Sequence, residues 1–208
     1  MPKGRSVAVA VAIALASVGG AAAAKAAQEK PASEVTSSES AEQGSNGLDC
    51  AALASLTDDQ VEREIAQLED KITLRVAYDD RDRVLASLPA GMRALYVTSI
   101  VEGEVKDGGF NQYYWNIGDA YSVRAVEAFE FFGAKERVGL IREANAIRAR
   151  EAPLMAKYKA RGTIEAFSES YRESRLRPVD LRYWALKEDL TALRVKKIRE
   201  MPDLFCDH

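Results

Sequence analysis

The stretch Glu104-Val105-Lys106-Asp107-Gly108-Gly109-Phe110-Asn111-Gln112-Tyr113-Tyr114-Trp115-Asn116 constrains the fold more than any other. It places paired glycines beside three consecutive aromatics and three side-chain amides. Adjacent glycines reach backbone angles that a side chain forbids, so one helix is predicted to stop here and turn abruptly into the next element. Large aromatic rings demand burial and buried amides demand hydrogen-bond partners, so the residues after the turn are expected to be held tightly.

Helical periodicity surrounds this corner. Thr57-Asp58-Asp59-Gln60 opens a helix, with Thr57 or Asp58 as its cap, and Val61, Ile65, Leu68 and Ile72 form one apolar stripe. Asp79, Asp80 and Asp82 lack the alternating spacing of a cation loop and are interleaved with arginines, which marks a solvated charged face. After the break at Leu88-Pro89-Ala90-Gly91, a second helix is predicted to about Val105, burying Met92, Leu95, Tyr96, Ser99, Ile100 and Gly103. A further helix, capped by Asp119 or Ser122, carries Ala125, Val126, Ala128, Phe129 and Phe132 and stops at Gly133. The next runs from Ala134 through Val138, Ile141, Ala144 and Ile147 to a break or kink at Pro153, with Leu154, Met155 and Tyr158 beyond it. Gly162-Thr163 starts a short segment from Ile164 to Tyr171, and Pro178 opens one last long helix carrying Leu181, Trp184, Ala185, Glu188, Leu190, Leu193 and Ile198. No run alternates in the manner of a strand, so the chain reads as all-α: a compact multi-helix domain with a glycine-broken central corner.

The rest of the 208 residues sets the context. Residues 1–24 carry Lys3 and Arg5, an uncharged run rich in alanine, and small residues at the end, the pattern of a secretory leader cleaved at Ala23 or Ala24. The competing reading is an uncleaved anchor, against which the weak hydrophobicity of the run argues. Residues 25–47 offer almost nothing large and apolar and read as a disordered linker, leaving 48–208 as one helical domain. The product is therefore expected to be periplasmic or secreted, with no stable membrane anchor once the leader is removed. Cys50 and Cys206 lie near the two ends of that domain and are expected to pair in an oxidising compartment, closing a loop of roughly 157 residues; two free thiols are the alternative.

Chemistry is narrowed mainly by exclusion. The single histidine is His208, so histidine-base catalysis and metal sites built on several imidazoles are ruled out. A formal charge of −3, with no clustered basic face, does not suit a nucleic-acid partner. No cofactor or metal motif is present.

The order Glu104-Val105, Gly108-Gly109-Phe110, Gln112-Tyr113, Asn116 resembles the signature Glu-Val-x-x-Gly-Gly-Phe-x-Gln-Tyr-x-x-Asn of a bacterial domain family of unassigned general function, the DNA-mimic protein family. Ala94-Leu95-Tyr96, Phe131-Phe132-Gly133-Ala134 and Val179-Asp180-Leu181-Arg182-Tyr183-Trp184 look like further family segments in the same order, so the resemblance spans about Leu88 to Phe205. It implies an all-helical fold and protein binding; the family's named member binds a transcriptional repressor. Lys106-Asp107 departs from asparagine-rich turn residues, and a leader with two cysteines puts this chain outside the cytoplasm. The chain also lacks a dense carboxylate array, so DNA mimicry is not carried over.

Two readings of the hub stand side by side. In the first, Phe110, Tyr113, Tyr114 and Trp115 fill the bundle while Asn111, Gln112 and Asn116 satisfy helix ends and Glu104 caps the element beginning at Gly109. In the second, Glu104, Gly108, Gly109, Phe110, Asn111, Gln112, Tyr113, Asn116 and Asp119, closed by Tyr183 and Trp184, form a pocket. Such a pocket suits a small-ligand binder, or a hydrolase in which Glu104 is paired with Asp119 or Asp180. The favoured function is a protein-interaction module of the inhibitor or immunity type, its partner and oligomeric state undetermined by sequence.

Overall fold

The computed structural model describes residues 47–78 and 80–206; the expected leader, all of the expected linker but Gly47, and Asp79 lie outside the described residues. Among the described residues the secondary structure is helical throughout, with one isolated bridge between Leu48 and Cys206. The helices are α1 Cys50–Leu53, α2 Asp58–Tyr78, α3 Arg81–Ala86, α4 Ala90–Asn116, α5 Ser122–Phe132, α6 Lys135–Arg150, α7 Ala152–Arg161, α8 Ile164–Glu173, α9 Arg177–Trp184 and α10 Leu190–Glu200.

Local chemistry sets most of the boundaries. Thr57 and Gln60 close a reciprocal cap at the start of α2, Thr57 N–H donating to Gln60 Oε1 (2.7 Å) and Gln60 N–H to Thr57 Oγ1 (3.3 Å). The α2 stripe of Val61, Ile65, Leu68 and Ile72 is buried. The charged segment after it is a short helix, not only a solvated face: Asp80 caps α3 by accepting from Arg83 N–H (2.8 Å). Gly133, at φ 75°, ends α5 in the left-handed conformation. α6 ends at Arg150 and Pro153 sits in the first turn of α7, while Thr163 caps α8.

Three expectations need correcting. The helix that reaches the glycine pair buries Val97, Thr98, Val101 and Val105 as well as Met92, Leu95 and Tyr96, but Gly103 is exposed. Neither Asp119 nor Ser122 caps α5 through its side chain; a 3-10 turn, Asp119–Tyr121, leads into that helix. The last helix is two. Glu188 turns away to accept from Glu136 N–H (3.0 Å) and Arg137 N–H (3.3 Å), capping the start of α6. Asp189 then caps α10 by accepting from Ala192 N–H (3.0 Å). Each acid is more useful at a helix start than inside a continuous helix.

One core runs from α2 through α4, α5, α6, α9 and α10, and Phe110, Tyr113, Tyr114, Phe129 and Phe205 are among its fully buried side chains. A smaller cluster of Met155, Tyr158 and Ala166 holds α7 to α8, with Trp115 and Leu154 packed against it. Cys50 and Cys206 are joined as a disulfide across 156 residues of sequence, their Cα atoms 5.7 Å apart. Beside it Leu48 N–H donates to Phe205 O (2.8 Å), and the Phe205 ring lies against Phe131 and Phe132. Gly91 makes that seat available: a Cβ there would stand 2.5 Å from the Phe205 ring.

Candidate functional site

The corner is a kink inside α4. Gly108 (φ −153°, ψ 20°) and Gly109 (φ 74°, ψ −178°) leave the helical region, and the helix resumes at Phe110. The break leaves donors and acceptors without helical partners, and α9 satisfies them. Asp180 Oδ1 accepts from Phe110 N–H (2.8 Å), and Trp184 Nε1 donates to Val105 O (2.8 Å). The resumed helix is thus capped by a carboxylate as the sequence suggested, but by Asp180 rather than by Glu104. Asp180 is buried, and Tyr171 O–H reaches its other oxygen at 3.3 Å. Burial pushes the Asp180 carboxyl above the usual range, against the hydrogen bonds from Phe110 and Tyr171.

Glu104, Gly108, Gln112 and Asn116 are spaced four apart and share one stripe across the kink. Glu104 Oε2 accepts from Gln112 Nε2 (3.0 Å) and from Asn116 Nδ2 (2.8 Å). A side chain at Gly108 would overlap the Gln112 carboxamide, which folds back over the kink. Trp115 borders the stripe with its ring 5.2 Å from Phe167 of α8. On the α9 side, the Arg177 guanidinium lies 5.2 Å from the Trp184 ring and its Nη1 reaches Tyr171 Oη at 3.3 Å. Leu181 and Trp184, one turn apart on α9, are 52% and 40% exposed.

The other hub residues face inward. Phe110 meets Tyr183 edge to face at 5.3 Å, and Tyr113 lies 5.0 Å from Tyr114. Tyr114 O–H donates to Asn145 Oδ1 (2.6 Å), and Asn111 Nδ2 donates to Ser170 Oγ (3.0 Å). The Tyr113 hydroxyl is buried without a hydrogen-bond partner, and burial raises its pKa. Asp119 is paired with Arg148 (2.7 Å) on α6. The three carboxylates grouped by sequence therefore have different partners: amides for Glu104, a guanidinium for Asp119 and a backbone N–H for Asp180.

A charged network next to the kink was not singled out from sequence. Glu102 receives the Tyr183 hydroxyl and Arg137 Nε (3.0 Å), and Arg137 also pairs with Glu188 (3.1 Å). Burial alone would raise the Glu102 carboxyl, but the hydrogen bonds from Tyr183 and Arg137 outweigh it and hold the group low. Glu69 accepts from Ser99 O–H, while Arg194 donates to Thr98 Oγ1 (2.6 Å) and Ser99 Oγ (3.1 Å). Burial pushes the Glu69 carboxyl up against the nearby Arg194 charge. The available signal was Ser99 and Glu102 continuing the helix face that begins with buried Leu95, so polar residues follow an apolar one on the same stripe. Among the described residues, no group of three or more His, Cys, Asp or Glu side chains is placed to share a metal ion.

A protein-family model described as DMP19-like protein matches residues 86–201, a span that takes in the kink and every helix from α4 to α10. No curated protein and no solved structure matches the chain.

Proposed function

The chain belongs to the DMP19-like protein family, and from that premise we propose that it is an exported protein-interaction module of the inhibitor or immunity type. The observation that carries this reading is the outer face of the kink. Leu181 and Trp184 of α9 stay exposed, with the Trp184 indole anchored on the kink through Val105 O, whereas Phe110, Tyr113 and Tyr114 are consumed by the core. Exposed aromatic and aliphatic side chains on a rigid support are common anchors of protein interfaces. The indole is held by its hydrogen bond to Val105 O, so little side-chain freedom is lost on binding. Export rests on the leader-like residues 1–24, and the Cys50–Cys206 bond is compatible with an oxidising compartment.

The test is affinity capture from periplasmic extract at several salt concentrations, with wild-type protein and a Leu181→Ala/Trp184→Ala variant as bait. A partner retained by the wild type and lost by the variant is expected. Failure to retain any reproducible partner, or equal retention by both baits, sinks the reading. Export is checked by fractionation and N-terminal sequencing; full-length protein in the cytoplasm would overturn it.

A further inference from the structure

We propose that the outward face of α9 receives an acidic segment of the partner protein, with a carboxylate on the Arg177 guanidinium and an apolar side chain against Leu181 and Trp184. The inference names the partner chemistry of the contact face and rests on that reading for the source of the segment.

Helix geometry defines the face. Arg177, Leu181 and Trp184 follow one another at spacings of four and three, so they stand in one row on α9, while Val179 and Tyr183 turn into the core. All three members of the row are exposed, and the Trp184 indole is held by its bond to Val105 O (2.8 Å). The Arg177 guanidinium lies 5.2 Å from the Trp184 ring, so cation and aromatic anchor form one unit.

Charge decides what this row takes. Residues 174–187 carry the cations Arg175, Arg177, Arg182 and Lys187, all exposed, and a single acid, Asp180, which is buried with one oxygen committed to Phe110 N–H. The surface of this segment is therefore basic, although the whole chain has a formal charge of −3. Arg182 meets Glu143, whereas Arg175, Arg177 and Lys187 have no carboxylate within ion-pair distance among the described residues. Elsewhere on the fold Arg124, Arg137, Arg148 and Arg161 each meet an acid of this chain, so the α9 row stands out as cationic surface left over. Arg177 spends one N–H on Tyr171 Oη (3.3 Å), and the other donors of its fork have no partner among the described residues. A guanidinium stacked on an aromatic ring keeps its planar edge available to a carboxylate, and an arginine already held in place loses less freedom when that bond forms. A nucleic acid suits the row less well: Leu181, 52% exposed, stands between Arg177 and Trp184 and offers neither charge nor a ring on which a base can stack.

The probe is an acetylated helical peptide whose leucines are flanked by glutamates, titrated into the oxidised protein beside a glutamine analogue and a lysine analogue of the same sequence. Calorimetry reads the affinity, and the indole N–H resonances in nitrogen-15 spectra read the location, with Trp115, which packs against Phe167 of α8, as the reference. The glutamate peptide is expected to bind and to shift Trp184 but not Trp115. The glutamine peptide should bind about ten-fold more weakly and the lysine peptide not at all. Arg177→Gln should weaken the glutamate peptide about three- to five-fold, the effect of one exposed ion pair, and Arg177→Lys should weaken it less. Unchanged far-ultraviolet spectra confirm that both variants are folded. Equal affinity for the glutamate and glutamine peptides overturns the proposal, as does full affinity in Arg177→Gln, a shift confined to Trp115, or a single-stranded oligonucleotide that binds more tightly than the glutamate peptide. A partner captured through Leu181 and Trp184 but indifferent to Arg177→Gln would remove the acidic segment and leave the contact face standing. Glutamate peptides that bind through Arg177 when no captured partner needs Leu181 or Trp184 would remove the contact face and leave an acid-selective site.

Discussion

Replacing Gly109 by alanine should damage this fold more than any other single methyl group added at the kink. The native backbone there, φ 74° and ψ −178°, belongs to a region that is essentially glycine's alone, and occupying it with a side chain costs about 1–3 kcal/mol. The new Cβ would also stand 2.6 Å from Asp180 Oδ2 and 2.7 Å from its Cγ, so the carboxylate has to retreat. Phe110 N–H then loses a charge-assisted bond, a net loss of about 1.5–3 kcal/mol. The combined loss is about 2.5–6 kcal/mol, a large part of the roughly 5–15 kcal/mol that stabilises a typical domain. Urea unfolding of the oxidised protein, followed by circular dichroism and tryptophan fluorescence, measures it. Gly108→Ala is the internal comparison: its φ of −153° is negative and the new methyl meets chiefly the far end of the flexible Gln112 side chain, so a smaller loss than that of Gly109→Ala is expected. With Asp180→Ala in the same background, Gly109→Ala should cost less than it does alone, because the clash is gone. A loss under 1 kcal/mol for Gly109→Ala, or strict additivity with Asp180→Ala, would refute this account of the kink.

Three further outcomes are expected. Reducing Cys50–Cys206, or replacing both cysteines by serine, should lower stability by up to about 5 kcal/mol for a loop of this length, measured by the shift in urea midpoint; an unchanged midpoint contradicts the clasp. Gly91→Ala drives a methyl into the Phe205 ring and Leu204 O and should cost about 1–3 kcal/mol, whereas Gly91→Ala in a Phe205→Leu background should cost less, as thermal melts will reveal. The Glu69 carboxyl titrates above 4.5 in the folded state, so between 4.5 and its raised value the folded chain holds more proton than the unfolded one, and stability falls as pH rises through that window. Glu69→Gln should flatten that part of a pH series of urea midpoints; an identical slope would show that Glu69 does not contribute it.

The parts legible in the sequence were those governed by near neighbours. The α2 stripe, the segment start at Gly162-Thr163, the glycine stop at Gly133 and the break at Gly108-Gly109 each depend on residues within a turn or two. What escaped depends on partners far along the chain. Nothing near Pro178 marks a continuous helix as unworkable; Glu188 leaves it because the start of α6, some 50 residues earlier, needs an acceptor. The cap on Phe110 likewise comes from Asp180, 70 positions away, and not from the nearby Glu104. At the candidate site, the sequence grouped Glu104, Gln112 and Asn116 among the residues of one candidate pocket, but that both amides share one oxygen of Glu104 follows only from the geometry of the kink.

The bond between Cys50 and Cys206 also changes how the domain carries a mechanical load. Tension applied across the two ends of the described fold passes through a covalent link between atoms that already lie side by side, with Cα atoms 5.7 Å apart. The intervening helices form a slack loop hanging from that link and bear none of the pull. A partner or a tether that drags on either end therefore cannot peel the helices away one after another, and the kink face keeps its shape under strain for as long as the link is intact.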